Sequence, residues 1–190
     1  MQRVFHDGER WSNAEADRVE ITDYDPRWPL LFDEEAARIR DVLRGLGHYS
    51  IEHFGSTSIP AVAAKPIIDI MLIVPDVWLW QQLISPIESL GYVYWPENPR
   101  KDRMFFVKGM PPFGTHRTHH LHVRSPGDCE SELVFRDYLR CHPEAASRYD
   151  ALKRALAVRF PTDRDAYSNA KAKLVAEIVA EATASAGDAF

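Results

Sequence analysis

The segment PIIDIMLIV, Pro66 to Val74, is apolar at every position but one. A strand with two apolar faces belongs inside a sheet, with covering layers on both sides. That requirement limits the chain to architectures in which helices pack over a sheet. The exception, Asp69, is the only charged residue between Lys65 and Asp76. Burying an unpaired carboxylate is costly, so Asp69 must meet a cation, a metal ion or a set of donors. The segment alone leaves two readings open: a structural ion pair with Lys65 or Arg103, or a carboxylate that holds a divalent cation.

The surrounding pattern predicts what the sheet is built from. Leu31, Phe32, Ala36, Ile39, Val42, Leu43 and Leu46 recur at helical spacing, predicting a helix from Trp28 to about Leu46 that ends near Gly45 or Gly47. A short alternating stretch, Val19 to Thr22, precedes it. YSIEHFG reads as a strand stopping at Gly55, and a helix from about Val77 to Leu90 separates PIIDIMLIV from YVYW. YVYW, MFFVKG and HRTHHLHVRS then read as adjacent antiparallel strands. From Asp128 onward the pattern is helical, broken at Pro143 and Pro161. The expectation is an α+β (mixed α/β) fold: one domain over about 19–185, with a mixed sheet of four or five strands at about 48–125 flanked by helices. A helical C-terminal segment covers about 128–185, and residues 1–18 are polar and aperiodic, expected to form a flexible leader.

Composition excludes some partners. With 23 basic and 28 acidic residues the net charge is −5, which gives no bulk attraction to nucleic acid or an anionic membrane. No apolar run approaches the roughly 18 residues of a membrane span, and the N-terminus has no apolar signal core. Cys129 and Cys141 show no metal-type spacing, so they read as reduced thiols in a cytoplasmic protein.

Two clusters carry chemistry. Gly55-Ser56-Thr57-Ser58 follows a strand, and such a turn exposes N–H groups and hydroxyls suited to phosphate oxygens. A turn whose hydroxyls only cap a helix fits the same residues. Strand alternation sets Asp69 and Met71 on one face, where a two-metal site would want a second acid at position 71. In THHLHV, His120 and His122 share a face, and two imidazoles so spaced can share a metal or a phosphate, or one can act as general base. Arg103, Lys108 and Arg117 lie on or beside the neighbouring strands, where cations can line an anion pocket. Tyr167 and Lys171, four apart on the last helix, offer a contact from that side.

Taken together, VEITDYDPRWPLLFDEEAARI, IEHFGSTSIPAVAAKPIIDIMLIV, RTHHLHV, LVFRDYLRCHPEAASRYDALKRALA and YSNAKAKLVAEI resemble the GrpB-like family of the nucleotidyltransferase superfamily, from about Val19 to Ile178. The resemblance implies a polymerase-beta-like core in which Gly55 and Ser56 match the phosphate turn and Asp69 the first metal-binding acid. It further implies an enzyme that transfers a nucleotidyl or phosphoryl group from a nucleoside triphosphate to a small acceptor. The expected phosphate ligands are Gly55, Ser56, Thr57, Ser58, Lys65, Arg103 and Arg117. Asp69, His120 and His122 are expected to act in catalysis and to hold one divalent metal, Mg2+ or Mn2+, with Zn2+ as the alternative. Met71 departs from the superfamily pattern, leaving open a catalytically degenerate binding module or a metal-dependent enzyme of other chemistry.

Overall fold

The computed structural model describes residues 18–187, so nearly all of the expected leader lies outside the described residues. Five strands form one sheet: β1 (Ser50–Phe54), β2 (Ile68–Ile73), β3 (Tyr92–Tyr94), β4 (Met104–Lys108) and β5 (His119–Arg124). Their spatial order is β1-β2-β5-β4-β3. β2 and β5 run parallel, and the other three pairings are antiparallel. The doubly apolar strand is therefore an interior one, as its composition requires. The last three strands pair as their sequence predicts.

One face of the sheet carries the main core. Ile68, Ile70, Leu72, Leu121, Val123, Met104 and Phe106 pack there against two helices, α1 (Trp28–Val42) and α2 (Trp80–Glu88), through Trp28, Ile39, Leu43, Leu83 and Ile87. Pro29 sits in the first turn of α1, where its missing N–H costs nothing. The helix stops at Val42, shorter than the spacing predicts, in a turn where Gly45 and Gly47 take φ of 90° and 91°. Beneath α1 lies a buried ionic cluster. Glu35, 1% exposed, accepts from Lys108 Nζ at 2.6 Å and Arg38 Nη1 at 3.3 Å. Lys108 thus pairs with Glu35 on the core side of the sheet.

The opposite face carries Phe54, Asp69, Met71, Phe105, His120 and His122, since residues alternate sides and these are register partners across the ladders. Four C-terminal helices lie over it: α3 (Glu130–Cys141), α4 (Pro143–Arg159), α5 (Arg164–Asn169) and α6 (Ala172–Gly187). Arg136 of α3 ties this layer to the sheet, donating to Glu52 Oε2 at 2.8 Å and to the His53 carbonyl at 3.0 Å. Ile59 and Val62 pack with Leu139, Ala145, Ala146, Tyr149 and Ile178 in a second core. Two elements differ from expectation. Val19–Thr22 contributes only a bridge between Thr22 and Ala64, and the last helix is split between Asn169 and Ala172. Cys129 and Cys141 are free thiols. Among the described residues no helix is long and apolar enough to cross a membrane.

Candidate functional site

The parallel pairing of β2 and β5 sets Asp69 opposite His120 and Met71 opposite His122. His120 Nδ1 lies 3.0 Å from Asp69 Oδ1, and His122 Nε2 lies 3.9 Å from the same oxygen. On its far side His122 meets Arg103, with Nη1 3.0 Å from Nδ1. Aromatic edges enclose the pair: Phe54 and Phe105 have ring centroids 4.9 and 4.8 Å from that of His122. Burial lowers the pKa of both histidines, that of His120 to about 4, against the pull of Asp69, so both rings are neutral at physiological pH. Burial also pushes Asp69 upward, but the two imidazole donors outweigh it and hold its carboxyl well below the usual carboxylate range.

Hydrogen-bond directions decide how far this cluster suits a metal. Potential ligand atoms of Asp69, His120 and His122 lie within 4.8 Å of one another, a spacing that one cation could span. Yet guanidinium groups only donate, so His122 Nδ1 must accept from Arg103 and its neutral ring carries hydrogen on Nε2, the nitrogen toward Asp69. An ionised carboxylate only accepts, so His120 carries hydrogen on Nδ1. A metal-bound histidine ordinarily donates its second N–H to an acceptor, whereas His122 has a cationic donor there. The donor set therefore fits a cation in number and spacing but not in the protonation its own hydrogen bonds impose.

The Gly-Ser turn closes over Asp69. Gly55 takes φ of 69°, and a β-carbon there would overlap Asp69 Oδ2, so glycine is required both by conformation and by the close approach. Residues Ser56–Ser58 form one 3-10 turn. Its hydroxyls divide. Ser56 faces Tyr149, with 3.5 Å between their oxygens, while Ser58 donates to the Gly55 carbonyl at 2.6 Å and Thr57 bonds His53 Nε2 at 3.1 Å. Ser58, 4% exposed, thus has its hydroxyl engaged in closing the turn, and Thr57, 1% exposed, has its own engaged with His53.

A cavity of about 160 Å³ opens between this turn and the helical layer, lined by Ser56, Lys65, Asp69, His120, Lys153 and Lys171 among others. Burial lowers Lys65 and Lys153 to about 7, and Lys171 to about 8. Neighbouring cations add to the effect: Arg164 and Lys171 act on Lys65, and Lys171 acts on Lys153. Lys65 and Lys171 both lie over the Tyr167 ring, at 4.8 and 4.2 Å from its centroid. Like charges crowded this way are relieved by an anion. Beside it, a wider cleft of about 930 Å³ is lined by Trp95, Arg100, Arg103, Phe105 and Arg117. His120, Arg164 and Ser168 line both spaces.

Comparison with known proteins settles the family. The GrpB protein family matches residues 18–181. The chain belongs to the GrpB family. A UPF0157 protein of Pseudomonas aeruginosa is 53% identical over 180 residues, covering 94% of this chain and 73% of that one. Among solved structures, the conserved protein GrpB from Enterococcus faecalis superposes with a TM-score of 0.75 at 35% identity, over 86% of this chain and 96% of that one. A weaker likeness, TM-score 0.47 at 9% identity over 70% and 42% of the two chains, is to the Cid1 poly(U) polymerase.

Of the site residues expected from sequence, Ser56, Thr57, Lys65, Asp69 and His120 line the lysine cavity, Gly55 packs on Asp69, His122 lies beside that carboxylate, and Ser58 closes the turn. Arg103 and Arg117 line the wider cleft and not the lysine cavity. Tyr167 and Lys171 do join from the helical layer. Lys153 and Arg164 were not foreseen. Lys153 had a signal: it lies on the buried stripe Tyr149, Lys153, Leu156 of α4, where a lysine is out of place unless something requires it.

Proposed function

We propose that this GrpB-family chain is a cytoplasmic transferase that moves a nucleotidyl or phosphoryl group from a nucleoside triphosphate to a small-molecule acceptor. One observation carries the reading: His120, bonded to the cavity-lining Asp69, stands at the wall shared by a lysine-lined cavity and a wide cleft. The cavity, about 160 Å³, is smaller than the roughly 300–1,000 Å³ of ordinary ligand pockets, so it suits phosphate groups and not a whole nucleotide. The cleft, about 930 Å³, has room for the nucleoside and the acceptor. Ser56, Lys65, Lys153, Lys171 and Arg164 then bind phosphate oxygens, and the crowded cations offset the charge that develops in transfer. A divalent cation, Mg2+ or Mn2+ with Zn2+ as the alternative, would arrive with the phosphates and neutralise part of their charge.

The test is thermal unfolding with each of ATP, GTP, CTP and UTP, with and without Mg2+ or Mn2+. At least one nucleotide stabilises the protein, and the paired substitution Lys65→Met with Lys171→Met removes the shift. No shift with any nucleotide would sink the proposal. Met71 favours a second reading. It is fully buried and apolar where a second acid would face the phosphates, which suits a module that binds nucleotide or a partner without turnover. Nucleotide-dependent stabilisation with no product from any acceptor would select that reading.

A further inference from the structure

The two histidines of β5 look equivalent in sequence, but their surroundings give them opposite hydrogen positions. His122 accepts at Nδ1 from Arg103, so its hydrogen sits on Nε2. His120 donates from Nδ1 to Asp69, so its lone pair sits on Nε2. That His120 Nε2 is buried and has no hydrogen-bond partner. A buried acceptor left unpaired carries a desolvation cost, which a ligand donor would remove. The ring lies where the cavity and the cleft meet, the place a donor group of an acceptor molecule would reach.

Arg103 is itself held firmly. Its Nε and Nη2 bond Asp102 at 3.2 and 3.1 Å, Asp102 also lies 3.3 Å from Arg124, and Arg124 reaches Glu132 at 3.2 Å. The guanidinium side chain is 6% exposed, so its orientation toward His122 is fixed by the fold and not by solvent. With Nε2–H of His122 directed to the Asp69 side and its Nδ1 lone pair taken by Arg103, the His120 Nε2 lone pair is the one this histidine pair leaves unbonded.

We infer that His120 Nε2 is the site's proton acceptor, and that Arg103 is the positioning residue that keeps His122 in the opposite tautomer. The inference rests on the transfer reading above and names the acceptor class: a molecule with a hydroxyl that loses its proton on transfer. In that step the hydroxyl oxygen bonds to phosphorus as its proton passes to His120 Nε2. The bond from phosphorus to the leaving phosphate oxygen breaks, releasing pyrophosphate in nucleotidyl transfer or the nucleoside diphosphate in phosphoryl transfer. Asp69 stays ionised and stabilises the imidazolium that forms, as carboxylates do in other acid–histidine pairs.

The experiment is nitrogen NMR on protein labelled at histidine, which reads each ring's hydrogen position without any turnover. The wild type shows hydrogen on Nδ1 of His120 and on Nε2 of His122. Arg103→Met loses the single His122 tautomer and keeps that of His120, whereas Arg103→Lys, whose ammonium also only donates, retains both. Addition of Zn2+ or Mg2+ alone leaves both rings' signals in place. Hydrogen on His122 Nδ1 or His120 Nε2 in the wild type would overturn the inference, whether or not the variants fold. So would displacement of both rings' signals by Zn2+, which marks a metal centre. Wrong tautomers together with nucleotide-dependent stabilisation reject the base assignment and leave the transfer reading standing. Correct tautomers with no response to any nucleotide reject the base role by removing the reaction it serves.

Discussion

Binding of a polyphosphate to the lysine cavity should take up protons from solvent. Lys65 and Lys153 are lowered to about 7 and Lys171 to about 8. At pH 7.5 the first two are each roughly three-quarters neutral and the third roughly one-quarter, so about 1.8 protons are missing from the empty cavity. An anion among them favours the charged forms and raises all three pKa values. The sign follows: the bound state holds more protons than the free state, so affinity falls as pH rises. Near pH 7.5 the loss approaches roughly sixtyfold per pH unit, the power of ten set by about 1.8 protons. At pH 6 the same lysines are almost fully charged, and uptake shrinks to about 0.2 protons. Calorimetric titration with ATP or inorganic tripolyphosphate, in buffers of different ionisation enthalpy, reads the number directly as the slope of heat against buffer enthalpy. Lys171→Met lowers that slope at pH 8 more than at pH 7, because Lys171 titrates highest. Measurable binding with a slope near zero at pH 7.5 would refute the reasoning, since the anion would then be binding where these lysines are not.

Other substitutions test the scaffold around the site. Gly55→Ala forces a side chain into φ of 69° and onto Asp69 Oδ2, and should lower stability by about 1–3 kcal/mol in denaturant unfolding. Lys153→Met removes a buried charge but also takes the donor from the Ala63 carbonyl, so the two effects oppose each other and the charge effect wins only where Lys153 is protonated. Because the pKa of Lys153 is lowered in the fold, its cost is full below pH 7 and fades toward the ordinary lysine value. The gain in melting temperature should therefore be largest in acid and shrink on raising the pH, and a gain independent of pH would contradict the burial argument. Glu35→Ala leaves Lys108 without its partner beneath α1 and should cost about 3 kcal/mol by denaturant unfolding.

How much of this was legible in the sequence depends on whether the information is local. The two-residue period of Asp69-Met71 and His120-His122 sets each pair on one face before any tertiary contact is known, and the sheet then only has to align them. The apolar run of β2 likewise fixes its interior place. The helical layer was less legible. Nothing of the proline or glycine kind marks the break between Asn169 and Ala172, yet Lys171 at that break turns onto the Tyr167 ring and into the cavity. The hydroxyls of the Gly-Ser turn also divide by tertiary neighbours, Ser56 toward Tyr149 and Thr57 toward His53.

The hydrogen positions at the site lie beyond any sequence pattern. His120 and His122 share residue type, strand, face and burial, and a reading from spacing treats both as equal ligands or equal bases. What separates them is that an acceptor, Asp69, reaches one ring at Nδ1 while a donor, Arg103, reaches the other at the same atom. Asp69 arrives from the parallel neighbour β2, 51 residues away, and Arg103 from the residue just before the antiparallel neighbour β4, 19 residues away. Because β5 lies between those two strands, each histidine can meet a different partner. The topology of the sheet, and not the His-Leu-His motif, therefore decides which imidazole keeps a lone pair for chemistry.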